Sequence, residues 1–505
     1  MVFLAFALIS AVTVIAPNLL ITVLIANTAV ALFLLLFQLV IALFPKFKPL
    51  YRSQKNQPFV SVMVPTYNEP PSILMQALEA LSRQRYENYE VLVVDNNTTN
   101  PSVWTPIERY TATLGQKIRF IHVEDLEGYK AGAINYGFAR VDTRAEYIAV
   151  VDADYVVEPD FLRTAMSYFI RRDIALVQFP QKHRNVNDSN QPIADEYRHF
   201  FEVYMNMANH LDCVPSTGTV SVYRVDALRN INGFRTHSIT EDADAGLRIR
   251  AAGFSGVYVD RPVGYGLMPY DLEAYRKQKE RWSYGNAQSI VALFSLFGKL
   301  PLRSWFGFLS HLTAWHHFNF LPFAVLAGSV FVLTPFIPAT DAHMFLFSMA
   351  SIVILATLLT KFVLLLSTLQ GKKHFFVRAV KALAVHMGMT LLYSEVPVAF
   401  LFGRKLRFER TNKFLTAETS NLLMRTYKET FLGAWLLLGA MLGVVYGGEP
   451  EVIVALLVSS LALFSSHYIY WSLRSTRSIS RGLLRDVDRT CRQYFVTLLR
   501  RASER

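Results

Sequence analysis

Apolar residues divide the chain into three zones. Long apolar runs lie near the start of the sequence and again after about residue 318, whereas residues 45–285 alternate short apolar runs with polar segments. A run of roughly 17 to 25 apolar residues is long enough to cross a bilayer core as a helix. The pattern therefore predicts one water-exposed domain inserted between membrane segments.

In the middle zone, four short β-rich runs predict buried strands, at residues 59–64, 91–94, 118–121 and 147–151. Amphipathic stretches typical of helices separate these runs. Nearly continuous apolar strands that alternate with helices indicate a parallel sheet covered on both faces. The predicted fold class of this zone is α/β with a mostly parallel sheet.

The apolar zones predict six membrane spans, at residues 2–16, 18–44, 318–337, 343–367, 431–447 and 451–472. Pro17 separates the first two, which predicts a helical hairpin. The run 376–402 contains Arg378, Lys381 and Glu395, so we interpret it as an amphipathic helix in the membrane interface. The resulting segments are a transmembrane hairpin (1–44), a soluble domain (45–270), amphipathic interface helices (271–316), transmembrane helices (317–370), an interface helix and loop (371–428), transmembrane helices (429–472) and a basic tail (473–505).

The charge distribution supports this topology. The chain is 52% hydrophobic with a net charge of +12, and its basic residues cluster beside the apolar runs. Positive loops mark the cytoplasmic side of a membrane and favour anionic lipid headgroups, so the soluble domain is expected in the cytosol, against the lipid bilayer. No nucleic-acid recognition motif accompanies these charges, so no nucleic-acid partner is expected. The two cysteines, Cys213 and Cys491, are too few for a disulfide framework.

Polar residues follow the ends of three predicted strands. They are Thr66, Tyr67 and Glu69 after the first strand, Asp95 after the second, and Asp152 and Asp154 after the fourth. Ligands of parallel sheets bind at the carboxyl ends of the strands. One polar residue there is commonly a turn former, but a set at three strand ends indicates a binding site.

The residue types at these ends suggest a nucleotide and a metal ion. Asp152 and Asp154 suit Mg²⁺ or Mn²⁺, which one or two carboxylates hold together with substrate phosphate oxygens, although Asp-x-Asp also occurs in solvated turns. Asp95 can accept hydrogen bonds from a base or ribose. Lys130 can pair with a diphosphate, and it is equally typical of a surface lysine.

Two later motifs supply candidate catalytic groups. In Thr240-Glu241-Asp242, a carboxylate such as Asp242 can take the proton from an attacking hydroxyl. The same residues also suit the start of a helix over residues 243–252, and Asp244 is a rival carboxylate.

The second motif lies on a predicted amphipathic helix. Gln278 and Arg281 are three apart, hence on one helix face, where they can meet the diphosphate of a donor and an acceptor sugar together. Trp282 offers an aromatic plane to a sugar ring. An Arg-Trp pair near a membrane is also typical of an interfacial anchor.

Together these motifs resemble the membrane-integrated processive glycosyltransferases of family 2, the group of cellulose, hyaluronan, chitin and other β-glucan synthases. That family carries an Asp after the second strand, an Asp-x-Asp, a Thr-Glu-Asp and a Gln-x-x-Arg-Trp in this order, and the match covers roughly residues 45–415. The resemblance implies a cytosolic GT-A domain, a UDP-sugar donor, Mg²⁺ or Mn²⁺, inverting chemistry with Asp242 as base, and a channel that secretes the polymer.

Three shorter segments resemble the glucan-synthesising branch of this family. Gln181 ends a Val-Gln-Phe-Pro-Gln stretch that is similar to one behind the family's acceptor site. Ser216 and Gly218 lie in Ser-Thr-Gly-Thr, where cellulose synthases carry Phe-Cys-Gly-Ser, which argues against a β-1,4 cellulose product. Residues that resemble the family's gating loop are Phe408, Arg410 (where the family has Val), Thr411 and Lys413.

The resemblance leads to a specific expectation. The chain is expected to be a bacterial inner-membrane synthase that polymerises glucose from UDP-glucose into a β-glucan, with β-1,3 linkage favoured over β-1,4 or mixed linkage. The growing β-glucan would cross the bilayer. Alternatives left open are an amino-sugar polymer synthase using UDP-N-acetylglucosamine, a lipid-linked single-sugar transferase, and a transporter that senses nucleotide sugar. The existence of partner proteins is left open as well.

Overall fold

The computed structural model describes residues 17–53, 56–315, 320–333, 341–406, 421–474 and 476. Its first helix, α1 (Pro17–Leu43), is mostly apolar, carries no charged residue and precedes the soluble domain. The predicted span 2–16, the gating-like loop with Phe408, Arg410, Thr411 and Lys413, and most of the tail after residue 473 lie outside the described residues.

The soluble domain alternates strands and helices, as the sequence pattern predicts. In chain order its elements are β1 (Phe59–Thr66), α2 (Pro71–Ser82), β2 (Tyr89–Asn96), α3 (Pro101–Thr111), β3 (Ile118–Val123), α4 (Tyr129–Phe138), β4 (Ala145–Val150), β5 (Val156–Val157), α5 (Phe161–Met166), β6 (Ile174–Gln178), β7 (Lys182–His183), α6 (Gln191–His199), a π-helix (Phe200–Met205), α7 (Asn206–His210), β8 (Ser221–Arg224), α8 (Val225–Asn230), α9 (Glu241–Ala251), β9 (Ser255–Tyr258) and β10 (Gly264–Gly266).

The main sheet has seven strands in the order β3-β2-β1-β4-β8-β6-β9. Strands β3, β2, β1 and β4 are parallel to one another, and β8 is antiparallel to both of its neighbours. This confirms the predicted mostly parallel sheet. A smaller sheet pairs β5, β10 and β7. Since the first four strands are parallel, their carboxyl ends meet at one edge, where the predicted site residues follow.

Burial on both faces explains the apolar strands. All eight residues of β2 are buried, and β1 is buried at six of its eight positions. One core cluster fills the side of the sheet that includes Val62 and Val93, and another fills the side that includes Met63 and Leu92. Neighbours in sequence thus alternate between two dry faces, which favours apolar side chains at most positions.

Long helices follow the soluble domain. They are α10 (Leu272–Ser295), α11 (Leu302–Leu312), α12 (Leu321–Leu333), α13 (Asp341–Leu369), α14 (Phe375–Met387), α15 (Thr390–Leu401), α16 (Leu422–Val445) and α17 (Pro450–Arg474). Among the described residues, five helical stretches are long and apolar enough to cross a membrane: Ile21–Leu43, Met344–Leu369, Phe375–Leu401, Leu422–Val445 and Pro450–Arg474. The apolar helix α12 is shorter than a span.

The run 376–402, which we interpret as an interface helix, forms two helices that meet at Gly388 and Met389. Its combined length and apolar content also meet the requirements of a span, so the interfacial placement stays a prediction. Arg378 on α14 forms a two-point ion pair with Asp195 of the soluble domain, with N–O distances of 2.8 and 2.6 Å. This contact fixes the run against α6.

Helix α10 joins the soluble domain to the apolar helices. Asp271 caps its first turn by accepting a hydrogen bond from the backbone N–H of Ala274. Arg276 forms an ion pair with Glu429 of α16, and the Tyr284 hydroxyl donates to the Arg404 carbonyl at 3.0 Å. The helix that carries Gln278, Arg281 and Trp282 is therefore held by both parts of the molecule.

Candidate active site

A cleft of about 370 Å³ opens at the carboxyl edge of the main sheet. The sequence-predicted residues that line it are Thr66, Tyr67, Glu69, Lys130, Asp152, Asp154, Gln181, Gly218, Thr240, Glu241, Asp242, Gln278, Arg281 and Trp282. The parallel strands bring the first of these residues together, and the start of α9 and the first half of α10 supply the last. Residues far apart in the sequence thus share one space, while their individual roles stay predictions.

Asp95, predicted to bind the donor, lies beneath the cleft and does not line it. The residue is 1% exposed, and its two carboxylate oxygens accept hydrogen bonds from the Thr98 hydroxyl and from Nδ1 of His122, both at 2.8 Å. The His122 ring stacks on Trp104 with centroids 4.3 Å apart. Asp95 therefore stabilises the end of β2, and its neighbours Asn96 and Asn97 line the cleft instead.

Ser216, predicted as part of the acceptor floor, also lies below the surface. It is 2% exposed, and its hydroxyl accepts hydrogen bonds from the Tyr223 hydroxyl and from the backbone N–H of Gly218, the latter at 3.3 Å. The Ser216 hydroxyl donates to Oε1 of Gln178 at 3.1 Å. This residue supports the loop on which Gly218 reaches the cleft.

A single lysine lies among the carboxylates of the cleft. The Nζ of Lys130 is 2.5 Å from Oδ1 of Asp152 and 2.8 Å from the carbonyl oxygen of Gly218. Burial lowers the pKa of this ammonium, but the charges of Asp152, Glu241 and Asp242 outweigh burial, so the net pKa is raised. Lys130 therefore stays cationic and offsets the mutual repulsion of the acidic groups.

Glu241 and Asp242 begin helix α9 at the wall of the cleft. Burial, followed by the charge of Asp242, raises the pKa of Glu241 to about 8. Burial also raises the pKa of Asp242, while the Lys130 ammonium opposes that change. A carboxylate with a raised pKa is a stronger base than an exposed one, which suits Asp242 to accept a proton from an attacking hydroxyl.

Two glycines permit close approach around the Thr240-Glu241-Asp242 motif. Gly218 has φ of +82°, and a Cβ there would lie 2.6 Å from Oδ2 of Asp242. Gly285 of α10 faces Thr240, whose Oγ1 would be 2.3 Å from an added Cβ. The start of α9 is thus enclosed by a loop on one side and a helix on the other, and neither glycine leaves room for a side chain.

The carboxylates at the end of β4 fit a divalent cation that is shared with a phosphate. Asp154 is 5% exposed and accepts a hydrogen bond from the backbone N–H of Leu267 at 2.9 Å, while Asp152 faces Lys130. No group of three or more His, Cys, Asp or Glu side chains in the described ranges could hold a metal by itself. Mg²⁺ and Mn²⁺ sites that are completed by substrate phosphate oxygens and water need only one or two carboxylates.

The opposite wall comes from α10. The Tyr197 hydroxyl donates to Oε1 of Gln278, and the Trp282 ring stacks on Trp315 with centroids 5.7 Å apart. Across the cleft, Nε2 of Gln181 donates to the Thr217 carbonyl at 2.6 Å. These contacts fix an amide and an indole ring on the cleft surface, a combination that can hydrogen-bond and stack against a sugar.

Several residues that line the cleft are not among those that the sequence motifs predict. They are Asn96, Asn97, Tyr129, Tyr155, His183, Thr217 and Tyr270. The buried hydroxyls of Thr66, Tyr155, Thr217 and Thr240 have no hydrogen-bond partner in the part of the chain that the structure describes. Buried hydroxyls are normally paired, so this set points to a ligand with many polar groups. The only sequence signal was proximity to recognised motifs, such as Tyr155 directly after Asp154.

Comparisons with known proteins agree with this architecture. Residues 57–285 match the family model described as glycosyltransferase-like family 2. Glucomannan 4-β-mannosyltransferase 2 of Arabidopsis thaliana is 28% identical over 257 residues, covering 48% of this chain and 48% of the relative. The catalytic subunit of the UDP-forming cellulose synthase of Komagataeibacter sucrofermentans is 27% identical over 297 residues, covering 55% of this chain and 38% of the relative. The chain thus spans about half, or less, of these relatives' length.

The fold has a solved counterpart. A mannosyltransferase from Pyrobaculum calidifontis, crystallised with GDP-Man and Mn²⁺, superposes with a TM-score of 0.50 at 18% identity, covering 73% of this chain and 99% of its own. At this identity the likeness shows the GT-A fold alone. Residues 57–285 therefore form a domain of glycosyltransferase family 2, carried by a chain related to the cellulose synthases and glucomannan mannosyltransferases.

Proposed function

We propose that the protein is a processive, inverting membrane glycosyltransferase that polymerises glucose from UDP-glucose into a β-glucan, with β-1,3 linkage favoured over β-1,4 or mixed linkage. The bacterial inner membrane is its proposed location, with the cleft in the cytosol. One observation carries the proposal: carboxylates from two motifs and the Gln278-Arg281-Trp282 wall share one cleft. A sensor of nucleotide sugars would not require a buried base beside an acceptor wall.

The chemistry follows from the placement of charges. Asp242 takes the proton of the acceptor hydroxyl, whose oxygen attacks the anomeric carbon of the donor sugar from the face opposite the leaving UDP. The diphosphate departs toward Lys130 and Arg281, whose positive charges offset its negative charge. A divalent cation held by Asp152 and Asp154 would supply further stabilisation of the leaving diphosphate. The unpaired hydroxyls of the cleft would bind the sugars.

The link to the membrane supports processive synthesis. The wall that carries Trp282 belongs to α10, which is paired with α16 through Arg276 and Glu429. The hydroxyl of Tyr284, on the same helix, donates to the loop after α15. An acceptor that stacks on Trp282 therefore lies next to apolar helices long enough to cross a bilayer, and each added sugar can be passed toward them.

The glucomannan 4-β-mannosyltransferase among the relatives favours a second candidate, a β-mannan synthase. The purified protein should be incubated with Mg²⁺ or Mn²⁺ and, separately, with UDP-glucose, GDP-mannose and UDP-N-acetylglucosamine. Products are then digested with linkage-specific hydrolases. We expect a UDP-glucose product that a β-1,3-glucanase degrades and cellulase does not. Polymer formed only from GDP-mannose or only from UDP-N-acetylglucosamine would replace the glucan proposal by the corresponding synthase.

Two variants of α9 separate the base from its rival. Asp242→Asn should abolish turnover and keep UDP binding, as measured by calorimetry, because the amide cannot accept the proton. Asp244 is a matched control on the same helix, since its carboxylate pairs with Arg248 at 2.6 Å and Arg235 at 3.2 Å and does not line the cleft. Asp244→Asn should lower thermal stability while the folded protein still turns over. Loss of UDP binding in Asp242→Asn would move Asp242 to a donor-binding role.

A further inference from the structure

A buried ion pair lies directly behind the acceptor wall. The Nζ of Lys279 is 2.8 Å from each carboxylate oxygen of Glu196, and both side chains are fully buried. Lys279 occupies one of the two positions between Gln278 and Arg281 that the motif leaves unspecified. A charged pair is expensive to remove from water unless its geometry is well satisfied, so its presence here calls for a specific structural reason.

The lysine is surrounded by aromatic rings. Its Nζ lies 4.5 Å from the ring centroid of Tyr197, 5.2 Å from Tyr275, 4.8 Å from Trp282 and 4.4 Å from Trp315. We call these four rings the lysine cage. Aromatic ring faces attract cations, and the attraction is strongest where water is excluded. The cage therefore uses one ammonium group to hold rings from three parts of the chain.

The cage includes the surface that meets the acceptor. Trp282 packs edge to face against Tyr197, with centroids 5.8 Å apart, and stacks on Trp315. Tyr197 in turn donates to Gln278. Tyr275 and Trp282 lie four residues before and three residues after Lys279, so the three side chains form one stripe along α10. The ammonium thus contacts Trp282 directly, and it contacts Gln278 through Tyr197.

Glu196 anchors this arrangement from α6. The Tyr275 hydroxyl donates to Oε2 of Glu196 at 3.3 Å, and Nδ1 of His386 lies 3.6 Å from Oε1. Burial lowers the pKa of Lys279, and the Glu196 carboxylate opposes this effect. The carboxylate thus fixes the ammonium in position and favours its charged form.

We propose that Lys279, held by Glu196, is a positioning residue that sets Trp282 and Gln278 for the acceptor saccharide, an inference that rests on the proposed function. Trp282 touches the acceptor, whereas Lys279 acts only through the rings. The pair therefore controls how well the growing chain is held for attack. Donor binding also uses Lys130, Asp152 and Asp154 on the other side of the cleft, so the pair should affect the donor much less than the acceptor.

The test compares the acceptor side with the donor side in the same protein. Lys279→Met keeps the length of the side chain and removes its charge. The double variant Lys279→Met/Glu196→Gln also removes the carboxylate charge that would be left unpaired. Arg250→Met is the matched control, since Arg250 pairs with Asp212 at 2.9 Å in a half-buried position outside the cage. Calorimetry with laminarihexaose, cellohexaose and UDP measures the two sides separately, and the fraction of consumed donor released as free sugar measures acceptor use.

One of the two hexasaccharides should bind to the wild type. Both cage variants should bind that hexasaccharide with about tenfold lower affinity than the wild type, which corresponds to the loss of one desolvated cation–ring contact. They should also release a larger fraction of the consumed donor as free sugar. UDP affinity should stay within about twofold of wild type in every variant, and Arg250→Met should match wild type in all three measurements. Unchanged hexasaccharide affinity in the double variant, or equal losses of hexasaccharide and UDP binding, would overturn the positioning role. A wild-type protein that binds hexasaccharide yet consumes no nucleotide sugar would instead overturn the proposed function.

Discussion

Replacing Gly218 with alanine should selectively damage the chemical step. Its φ of +82° lies in the left-handed region, and an added Cβ would be 2.6 Å from Oδ2 of Asp242. To reach an ordinary contact of 3.4 Å, the carboxylate oxygen must move by about 0.8 Å. A side chain of this length can rotate away at little cost in folding, but the atom that moves is the one proposed to accept the proton.

The expected magnitudes separate two effects. Alanine in the left-handed region costs roughly 1–2 kcal/mol of stability, because its Cβ crowds the neighbouring carbonyl. A displacement of about 1 Å at a reacting group can lower the rate about 10²-fold, equivalent to about 2.7 kcal/mol in the barrier. We therefore expect Gly218→Ala to show a modest loss of thermal stability and a loss of kcat near 10²-fold, with UDP affinity close to wild type.

Gly253, two residues after the end of α9, supplies a matched control. Its φ is +92°, and an added Cβ would meet nothing within 4 Å. Gly253→Ala therefore imposes the same backbone strain without touching Asp242. Initial rates of nucleoside diphosphate release at saturating donor, together with thermal unfolding in detergent, should show equal stability losses in the two variants and a kcat loss in Gly218→Ala only. Equal kcat in both variants would refute the close-approach argument.

Three further outcomes are expected. Gly285→Ala should lower kcat by at least about tenfold, because the added Cβ would lie 2.3 Å from Oγ1 of Thr240 and displace the start of α9. A wild-type rate would show that α10 moves instead and leaves the Thr240-Glu241-Asp242 motif in place. Glu241 has a pKa raised to about 8, so its neutral form favours the folded state at low pH and this contribution is lost as pH rises toward 8. Thermal unfolding of Glu241→Gln and wild type should therefore diverge between about pH 5 and pH 8, the variant becoming relatively more stable; parallel curves would contradict the raised pKa. Chelation should stop turnover, Mg²⁺ or Mn²⁺ should restore it, and Asp152→Asn should need more than about tenfold more metal for half-maximal rate; metal-independent turnover would exclude this role.

The fold was predictable from the sequence because the sheet is buried on both faces. Continuous apolar runs such as Val91–Val94 leave few alternatives to a central parallel strand, and the polar residues after them had to meet at one edge. The strands β6, β8 and β9 were not identified, since they are only four or five residues long and β8 runs antiparallel. Short strands are specified by pairing across the sheet, which local sequence does not reveal.

The site was predictable as a set of motifs and less so as a surface. Asp95 illustrates the limit: its position near the end of β2 suggested a ligand contact, but it lies beneath the cleft, where His122 and Thr98 hydrogen-bond to its two oxygens. His122 lies on β3 directly opposite Asp95 in the sheet, so the pairing depends on strand register. The position of a residue in the sequence does not indicate which side chains of the folded protein already form hydrogen bonds with it.

The same reasoning explains why two glycines and a lysine matter more than their sequence context suggests. Gly218, Gly285 and Lys279 each lie against a residue from another element: Asp242, Thr240 and Glu196. Motif residues such as Asp242 supply the chemistry, but their positions to within an ångström depend on such contacts. Because rates respond steeply to displacements of this size, substitutions at these supporting positions should reduce catalysis before they unfold the protein.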